Sequence, residues 1–491
     1  MLETTPHPRR WWALAVIALA QFMVIMDTSI IGVALPKMQA DLGFSQANLS
    51  WVFNAYVVAF GGLLLLGGRL ADLFGARRTF TTGWAVLLLG SVLAALAGTA
   101  AIELVARAAQ GVGAALIAPA ALTLLMMLFG HEPRELTKAI ALYGAAAPAG
   151  GTAGVFLGGV ITQWLSWPWI FWLYVPIALS ALVAIPALMP ATGGHRGQVD
   201  VTGAMTVTAG LALLVFAIVR APAQGWASIG TIGALAVAAL LLAGFVAIEA
   251  KRRAPLVRLG IFRAPNLGAA NLAQLLLGGA WIPMWFFLNL YLQQVLGYGA
   301  FAGGAALLPM TIAIIVLMVV VAPRVMARVG FKPPTVAGLL ILSGGLLWLS
   351  FVRPDGSFTV DVLGPSLVAA VGMALAFIPS LGTALSAARP EEGGLASGIV
   401  NTSYQVGSAL GLAAMTALAA AHGSSQLGHP TALTNGFSVA FLGAAVIAAA
   451  GGVLAWVTLR QPAAATPVAE QITSTTQPAS EPSTKAVHGD D

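Results

Sequence analysis

The chain has 491 residues, of which 59% are hydrophobic and only 8% carry a formal charge. A soluble domain has roughly 25% charged residues, because charges cover its water-facing surface. The composition therefore excludes a soluble globular fold, and the mean hydropathy of +0.90 excludes an intrinsically disordered chain. The 56 glycines and 27 prolines follow no triplet period, which excludes a collagen-like chain. A lipid bilayer is the expected solvent.

Motifs of known enzyme classes are missing from the sequence. It contains no P-loop lysine motif, nucleophile elbow, zinc-protease helix motif or dinucleotide-binding glycine loop. The lack of cysteine excludes disulfides, thiolate metal ligands and thiol nucleophiles, and the six histidines all lie outside the apolar runs. We therefore expect no enzymatic activity, no cofactor and no bound metal.

Apolar runs long enough to cross a bilayer dominate the chain. A spanning helix needs about 20 mostly apolar residues, and charges, proline and glycine mark where such runs end. This pattern predicts an all-α polytopic membrane protein with fourteen transmembrane helices. The predicted spans are residues 12–35, 51–70, 80–100, 102–128, 138–160, 168–189, 201–221, 228–249, 268–291, 302–322, 335–352, 361–386, 398–420 and 436–459.

The basic residues between the spans are distributed unequally. With the N-terminus inside, nineteen of the 23 lysines and arginines fall in cytoplasmic connections, whereas Lys37, Arg220 and Arg353 fall outside. The remaining one, Arg107, lies within a span. This asymmetry predicts a multi-pass protein of the cell membrane with both termini cytoplasmic. Because the basic residues form no single patch, a nucleic-acid partner is excluded.

The predicted spans divide the chain into five segments. Residues 1–11 form a cytoplasmic N-terminus that is followed by an uncleaved first helix. Two six-helix bundles, 12–189 and 264–460, flank two inserted transmembrane helices and their loops in 190–263. Residues 461–491 are rich in Pro, Ala, Ser, Thr and Gln, so they are predicted to form a disordered cytoplasmic tail.

The connection after the second span has a weaker copy after the tenth span. If the two connections correspond, the first six and the last six spans are parallel repeats. Parallel repeats are a transporter architecture, in which a site lies at the repeat interface near the bilayer midplane. The aligned positions are Gly75 with Gly330, Arg69 with Arg324 and Arg77 with Lys332, whereas Ala327 replaces Asp72.

Seven short motifs follow one another between about Arg10 and Leu459. They resemble, in residue types and in order, those of the fourteen-span drug:proton antiporters of the major facilitator superfamily, the EmrB/QacA-type multidrug efflux transporters. The superfamily loop motif G-x-L-A-D-R-x-G-R-K is represented by 68–78, with Leu73 and Ala76 as departures. The other motifs are 26–36, where Gly32 replaces the usual Asn, 104–119, 167–176, where Pro168 and Tyr174 replace Arg and Asn, 249–262, 291–298 and 394–402.

This resemblance implies the major facilitator fold and proton-driven efflux of toxic hydrophobic or cationic small molecules by alternating access. It also implies a cytoplasmic gate at the second-to-third connection, where a carboxylate can pair with arginines and with the end of a neighbouring helix. A solvated loop whose bases only set topology is the alternative. The implied gate residues are Gly68, Asp72, Gly75, Arg77 and Arg78.

Asp27 in the first span and Arg107 in the fourth are the only acidic and basic residues predicted well inside the hydrocarbon. A charge at the bilayer centre costs ~2.5–3.5 kcal/mol even on the most lenient scale, so intramembrane charges are functional candidates. The helical rise places both at a similar depth in the outer half, where they can meet. We expect Asp27 to exchange protons under the influence of Arg107. The alternatives are a purely structural ion pair and an Arg107 that extends to the headgroups.

Polar and aromatic residues form a stripe on the ninth span, at spacings of 3 and 4 that put them on one helical face. Such a face suits a cavity that stacks aromatic or cationic compounds, whereas hydrogen bonding between packed helices is an equal alternative. The stripe comprises Asn271, Gln274, Gly278, Trp281 and Trp285, the thirteenth span repeats it with Asn401, Gln405 and Ser408, and Gln21, Asn54 and Gln110 are further cavity candidates.

Glycine recurs every four residues on the fifth span. Gly150, Gly154 and Gly158, joined by Gly159, are predicted to let helices approach closely. The segment resembles the antiporter motif of this helix, except that Val155 stands where the family has Pro. We expect these glycines to act as a helix-packing motif.

The energy source follows from what surrounds the spans. No segment outside them is large enough for a nucleotide-binding domain, so an ion gradient is expected. One proton moving inward at 100 mV and one pH unit supplies ~2.3 plus ~1.4 kcal/mol, enough for roughly a 500-fold solute gradient. The expected partners are a small-molecule substrate, protons and lipid, and a monomer is expected to suffice. A proton-coupled importer or uniporter shares this fold, and a non-transporting scaffold or sensor is the remaining alternative.

Overall fold

The computed structural model describes residues 9–129, 132–190, 200–252, 255, 260–261, 264–387 and 393–460. The predicted tail, 461–491, lies outside the described residues, as do the first eight residues. Within the described ranges the backbone is helical and contains no β-strand.

Each of the fourteen predicted spans falls on a helix. In the described part of the chain, thirteen helices are long and apolar enough to cross a membrane, and α7 contains a shorter apolar helix, Met205–Ala221. The predicted class, an all-α polytopic membrane protein, is confirmed. The helices are α1 (Arg10–Leu42), α2 (Trp51–Phe74), α3 (Ala76–Ala95), α4 (Ala100–Phe129), α5 (Pro133–Trp164), α6 (Pro168–Leu188), α7 (Val201–Gln224), α8 (Ile229–Lys251), α9 (Leu267–Val295), α10 (Ala300–Val329), α11 (Lys332–Leu349), α12 (Gly364–Ala387), α13 (Gly393–Ala421) and α14 (Pro430–Thr458).

The first helix extends beyond the predicted span. The predicted span ends at residue 35, before Pro36, whereas α1 continues through Pro36 to Leu42 and ends at Gly43, whose φ is +70°. Proline is tolerated in a membrane helix because neighbouring groups satisfy the freed backbone carbonyl. Pro119 lies inside α4 in the same way.

The bundle has two ends, which we call the Arg10 face and the Gly43 face. Short connections make consecutive helices antiparallel, so odd-numbered helices begin at the Arg10 face and even-numbered helices begin at the Gly43 face. Arg10 pairs with Glu135 at 2.6 Å, which joins the starts of α1 and α5. At the opposite end, Trp167 Nε1 donates to Asp41 at 2.8 Å.

The same helix pairs pack in both halves of the chain. α1 packs along α5 as α9 packs along α13, and α3 contacts α4 and α6 as α11 contacts α12 and α14. Gly75 and Gly330, which align in sequence, both follow a helix and have positive φ angles of +92° and +76°. This backbone region favours glycine because a side chain there is strained. The shared backbone conformation explains the glycine in both copies of the connection.

The two inserted helices lie at one side of the seam between the halves. α7 packs against α2 of the first half and α13 of the second half, and α8 packs against α7. A Cβ atom placed on Gly62 would lie 2.7 Å from Thr208 Oγ1, so glycine allows α7 to approach α2 closely. α8 is mostly exposed, since only 11% of its apolar stretch is buried. Its surface suits contact with lipid.

Candidate functional site

Asp27 and Arg107 form an ion pair inside the first half. Arg107 Nη1 donates to Asp27 Oδ1 at 2.9 Å, and Nη2 lies 2.7 Å from Oδ2. The side chains of Asp27 and Arg107 are 2% and 0% exposed. The structure thus brings together the two residues that the sequence pairs, and it excludes an Arg107 that extends to the headgroups.

Further contacts hold the guanidinium in one orientation. Arg107 Nε donates to the carbonyl of Val52 on α2 at 3.0 Å, and Nη1 donates to Gln110 Oε1 at 2.7 Å. The ring of Tyr56 lies 4.8 Å from the guanidinium carbon, a distance typical of a cation–π contact. Gln110 Nε2 in turn donates to Ser91 Oγ on α3 at 2.9 Å. The network joins α1, α2, α3 and α4 around one positive charge.

Glycine brings these helices close enough for the network to form. A Cβ on Gly111 of α4 would collide with the carbonyl oxygen of Tyr56, and a Cβ on Gly90 of α3 would lie 2.9 Å from the backbone nitrogen of Gln110. Small residues at helix contacts permit such approach. Sequence reasoning missed Tyr56 and Ser91, because a single polar residue in an apolar run gives no sign of its partner.

Glu103 is a buried acidic residue that the sequence pattern did not identify. This side chain lies in the first turn of α4 and is 0% exposed. It precedes Arg107 by four residues, so both project from the same helical face. Among the described residues, neither of its carboxyl oxygens has a hydrogen-bond partner. The spacing was a usable signal, but the sequence placed Glu103 at the end of a span, where water would solvate it.

Gln21 and Asn54, two predicted cavity residues, have different surroundings. Gln21 Oε1 accepts from the hydroxyl of Tyr143 on α5 at 2.9 Å. Asn54 on α2 is 0% exposed, and neither atom of its amide has a hydrogen-bond partner within the described ranges. Burying an unpaired amide is costly. Asn54 is therefore a predicted cavity residue whose amide is buried without a hydrogen-bond partner among the described residues.

The part of the α9 stripe nearer the Arg10 face packs inside the second half. Gln274 Nε2 donates to Ser380 Oγ on α12 at 2.9 Å, and Asn271 Oδ1 accepts from Ser403 Oγ on α13 at 2.9 Å. A Cβ on Gly278 would collide with the backbone of α13. For these three residues the contacts match the packing alternative.

The companion stripe on α13 extends from the surface to the contact between the halves. Asn401 is exposed. A Cβ on Gly61 of α2 would lie 2.8 Å from Gln405 Cβ, which places Gln405 at the contact between the halves. Ser408 donates to the carbonyl of Tyr404 one turn earlier at 2.8 Å.

The part of the α9 stripe nearer the Gly43 face lies against the first half. Trp281 and Trp285 are 8% and 6% exposed. A Cβ on Gly32 of α1 would lie 3.6 Å from Trp285 Nε1 and 3.3 Å from Asn289 Nδ2. Asn289 continues the stripe by one further turn. The glycine at position 32 gives these side chains room against α1.

The glycines of α5 pack against α1 beside the ion pair. A Cβ on Gly150 would collide with the carbonyl oxygen of Phe22, and one on Gly154 would lie 2.7 Å from that of Met26. Gly158 makes the same kind of contact one turn later, with Ile30 at 2.8 Å. Gly159 instead faces α10 in the second half, where a Cβ would lie 3.0 Å from Phe301 Cα. Gly150, Gly154 and Gly158 thus pack α5 against α1, whereas Gly159 lies at the contact with the second half.

Three glutamines close a ring of hydrogen bonds between the halves at the Gly43 face. Gln39 Nε2 donates to Gln46 Oε1 at 2.8 Å, Gln46 Nε2 to Gln294 Oε1 at 3.2 Å, and Gln294 Nε2 to Gln39 Oε1 at 3.0 Å. The neighbouring Gln293 Nε2 donates to the carbonyl of Val33 on α1 at 3.1 Å. We call the first three residues the glutamine ring. Because Gln294 belongs to the second half, the ring must open for the halves to separate at this face.

Gln294→Ala is expected to open the Gly43 face. The change removes two hydrogen bonds, each worth about 0.5–1.5 kcal/mol net, so separated conformations gain about tenfold in population. The chain has no cysteine, so Ala300→Cys, a buried position beside Gly159, provides a single thiol whose rate of maleimide labelling can be measured. The rate should rise about tenfold with Gln294→Ala and stay unchanged with the exposed Gln224→Ala. Equal rates in both backgrounds would show that the ring does not hold the halves together.

Arg77 contacts the end of a neighbouring helix at the Arg10 face. Its Nη1 donates to the carbonyl of Met189 at 3.3 Å and its Nη2 to that of Pro186 at 3.2 Å, at the C-terminal end of α6. A cation is favourable there because the last helical carbonyls carry partial negative charge. Arg78 is exposed, Gly68 and Gly75 lie at the end of α2, and the side chain of Asp72 lies outside the described residues.

The family model of the Major Facilitator Superfamily matches residues 17–412. This chain belongs to that superfamily. The resemblance drawn from its motifs is thereby confirmed, and the protein is a membrane transporter, not an enzyme. It is 40% identical to the cephamycin export protein CmcT of Amycolatopsis lactamdurans over 90% of this chain and 91% of that protein. It is 36% identical to the puromycin resistance protein pur8 of Streptomyces alboniger over 92% of both chains.

Solved structures show the same fold at low sequence identity. The nucleoside transporter NupG is 13% identical, with a TM-score of 0.65 over 91% of this chain and 99% of that chain. An auto-inhibited peptide transporter of the POT family is 15% identical, with a TM-score of 0.68 over 94% and 98%. The predicted major facilitator fold is confirmed.

Proposed function

We propose that this transporter exports toxic hydrophobic or cationic small molecules in exchange for protons, by alternating access. The observation that carries the proposal is the buried pair of Asp27 and Arg107. The names of the two relatives, for antibiotic export and resistance, support the direction. Transport is assigned to a single chain, because the ion pair and the glutamine ring both form within it.

Proton binding to Asp27 changes the charge of the site. With Asp27 ionised, the pair is neutral and hydrogen-bonded, and it can remain buried. A proton on Asp27 leaves Arg107 as an unpaired buried cation, which costs several kcal/mol. The protein then shifts toward conformations in which Arg107 is hydrated or forms an ion pair again. Protonation and the opening of the site are coupled in this way.

The proposed orientation places the Arg10 face in the cytoplasm, since most basic residues lie there. The glutamine ring then closes the outer side, and Arg77 supports the inner side. Asn54 and Trp285 are the proposed substrate contacts, because an unpaired amide offers hydrogen bonds and an indole face attracts cations by ~0.5–2 kcal/mol.

Everted membrane vesicles test the proposal. The vesicles are prepared from cells that lack their own drug pumps, and their interior is acidified. Ethidium, an aromatic cation, is then added outside. An exporter accumulates ethidium inside, and vesicles without the protein provide the baseline. Release of preloaded ethidium under the same gradient would indicate an importer. Failure to move ethidium or any compound of a toxic panel would indicate a protein that does not transport drugs.

Arg77→Ala is expected to slow ethidium export about tenfold at equal membrane abundance. A charged hydrogen bond contributes about 1.5–3 kcal/mol, so the change loosens α6 from the start of α3 at the inner side. The matched control is Arg78→Ala, because Arg78 is the adjacent arginine and is exposed. An equal loss of export in both variants would mean that the two arginines only help to set the membrane topology through their charge.

A further inference from the structure

Glu103 is a buried acidic residue that the proposed mechanism leaves unused. Its side chain is 0% exposed, and its two oxygens have no hydrogen-bond partner among the described residues. Other buried carboxyls of the described chain have partners. Asp361 binds Arg353 through two hydrogen bonds of 2.9 and 3.0 Å, and Asp200 caps the start of α7 and lies 3.6 Å from Arg252.

The Arg353 pair shows what a structural carboxylate looks like in this protein. Asp361 also accepts from the backbone nitrogen of Ser357 at 2.8 Å, and the hydroxyl of Tyr291 donates to the carbonyl of Arg353 at 2.7 Å. The hydrogen bond to Asp361 raises the pKa of Arg353 above its usual value. Every charge in this group is compensated, whereas Glu103 lacks such contacts.

The position of Glu103 relates it to the proton site. It lies one helical turn, about 6 Å of rise, from Arg107, on the side toward the Gly43 face. The charged groups that act on it are Arg107 on its own helix and Asp27 on α1. The phenols of Tyr56 on α2 and Tyr174 on α6 stand beside the same pair.

We propose that Glu103 is a second proton-binding site, which passes protons between the Gly43 face and Asp27 and competes with Asp27 for Arg107. The inference rests on the proposed proton coupling. A buried carboxyl without hydrogen bonds is less costly as the neutral acid, so Glu103 holds a proton in the conformation described. Its spacing of four residues from Arg107 suits an ion pair on one helix after a change of rotamer.

The transfer conserves charge. The O–H bond of Glu103 breaks as its proton moves to the carboxylate of Asp27, and Glu103, now ionised, becomes the partner of Arg107. While Glu103 is ionised, Arg107 therefore keeps a charged partner although Asp27 is protonated. A proton entering from the Gly43 face then restores the acid form of Glu103, and Arg107 becomes the unpaired cation that favours the opening of the site. The exchange thus postpones the desolvation cost of the unpaired cation until this second proton binds.

Infrared spectroscopy of the purified full-length protein in liposomes tests the proton on Glu103. The carbonyl stretch of a protonated carboxyl is absent from an ionised one. Glu103→Gln should remove one such band, whereas Asp27→Asn should retain it. A spectrum of Glu103→Gln with the same carboxylic bands as the wild type would overturn the proposal. Glu103→Asp, which keeps the acid, should retain a band if Glu103→Gln fails to fold.

The pH profile of ethidium efflux tests the relay. As the outside pH rises, we expect Glu103→Gln to lose efflux activity at a pH about one unit lower than the wild type does. The reason is that Asp27 must then bind protons without Glu103 at a low proton concentration. Glu103→Asp should restore the profile, and Glu132→Gln, at an exposed glutamate, should not alter it. A uniform loss at every pH would instead assign Glu103 a structural role. If the wild type exports no ethidium, the proposed function fails, but the infrared result still decides whether Glu103 binds a proton.

Discussion

Asp27→Asn is expected to abolish uphill export while the protein still folds. The amide keeps the shape of the carboxyl and an acceptor for Arg107, so the loss of stability is limited to about 1–3 kcal/mol. The amide cannot bind and release a proton, so the proton gradient no longer drives the cycle. Exchange of one ethidium cation for one proton moves no net charge, so one pH unit supports about tenfold accumulation. Accumulation of ethidium in everted vesicles should fall from about tenfold to the level reached without a gradient.

The control for this variant is a second aspartate of the same helix. Asp41→Asn removes an exposed carboxyl at the end of α1, where Asp41 accepts from Trp167 Nε1. It should leave accumulation nearly unchanged. Membrane abundance and elution from size-exclusion chromatography establish that both variants fold. Undiminished uphill transport by Asp27→Asn would falsify the assignment of Asp27 as the coupling residue, and Glu103 would become the candidate.

Gly150→Ala is expected to destabilise the packing of α1 against α5. Its Cβ would collide with the carbonyl oxygen of Phe22, and both atoms belong to packed helix backbones that cannot move separately. Overpacking of this kind costs about 1–3 kcal/mol and sometimes more. We expect about 3 kcal/mol here, measured as a lower midpoint of thermal unfolding in detergent. The displacement of α1 would also disturb Asp27.

Gly151→Ala provides a matched control on the next residue. A Cβ at Gly151 would lie 3.7 Å from Ser29 Oγ and 3.9 Å from Ile25 Cγ2, which are ordinary contacts. Since alanine favours a helix over glycine by about 1 kcal/mol, this variant should be as stable as the wild type or slightly more stable. Equal unfolding midpoints for both variants would show that α1 and α5 are not packed as closely as described.

The contact between Asp27 and Arg107 was predictable because it depends on quantities that the sequence contains. Each residue is a charge within an apolar run, and the helical rise gives its depth from the end of that run. Two opposite charges at the same depth are expected to form an ion pair, since an unpaired charge in hydrocarbon is costly in free energy. The glycine motif of α5 was predictable for a similar reason, because its period of four identifies one face of a helix.

The stripe on α9 shows the limit of this reasoning. Its spacing correctly places the residues on one face, but a helical face can contact several neighbours along its length. The structure divides it between Gln274, which binds α12, and Trp285, which faces Gly32 of the first half. Spacing along one helix does not specify which helix lies opposite, so cavity and packing remained equal alternatives.

The sequence by itself determined that this chain is an all-α polytopic membrane protein, because hydropathy, span length and the bias of basic residues are local properties of the chain. The resemblance of its motifs, in residue types and order, then indicated the transporter family. Only the tertiary structure decided that Glu103 is buried, that Gln110 binds Ser91, and that Gln39, Gln46 and Gln294 form one ring. Each of these contacts joins residues on different helices or depends on what covers a helix end. Their positions follow from how the helices pack, which no local pattern in the chain specifies.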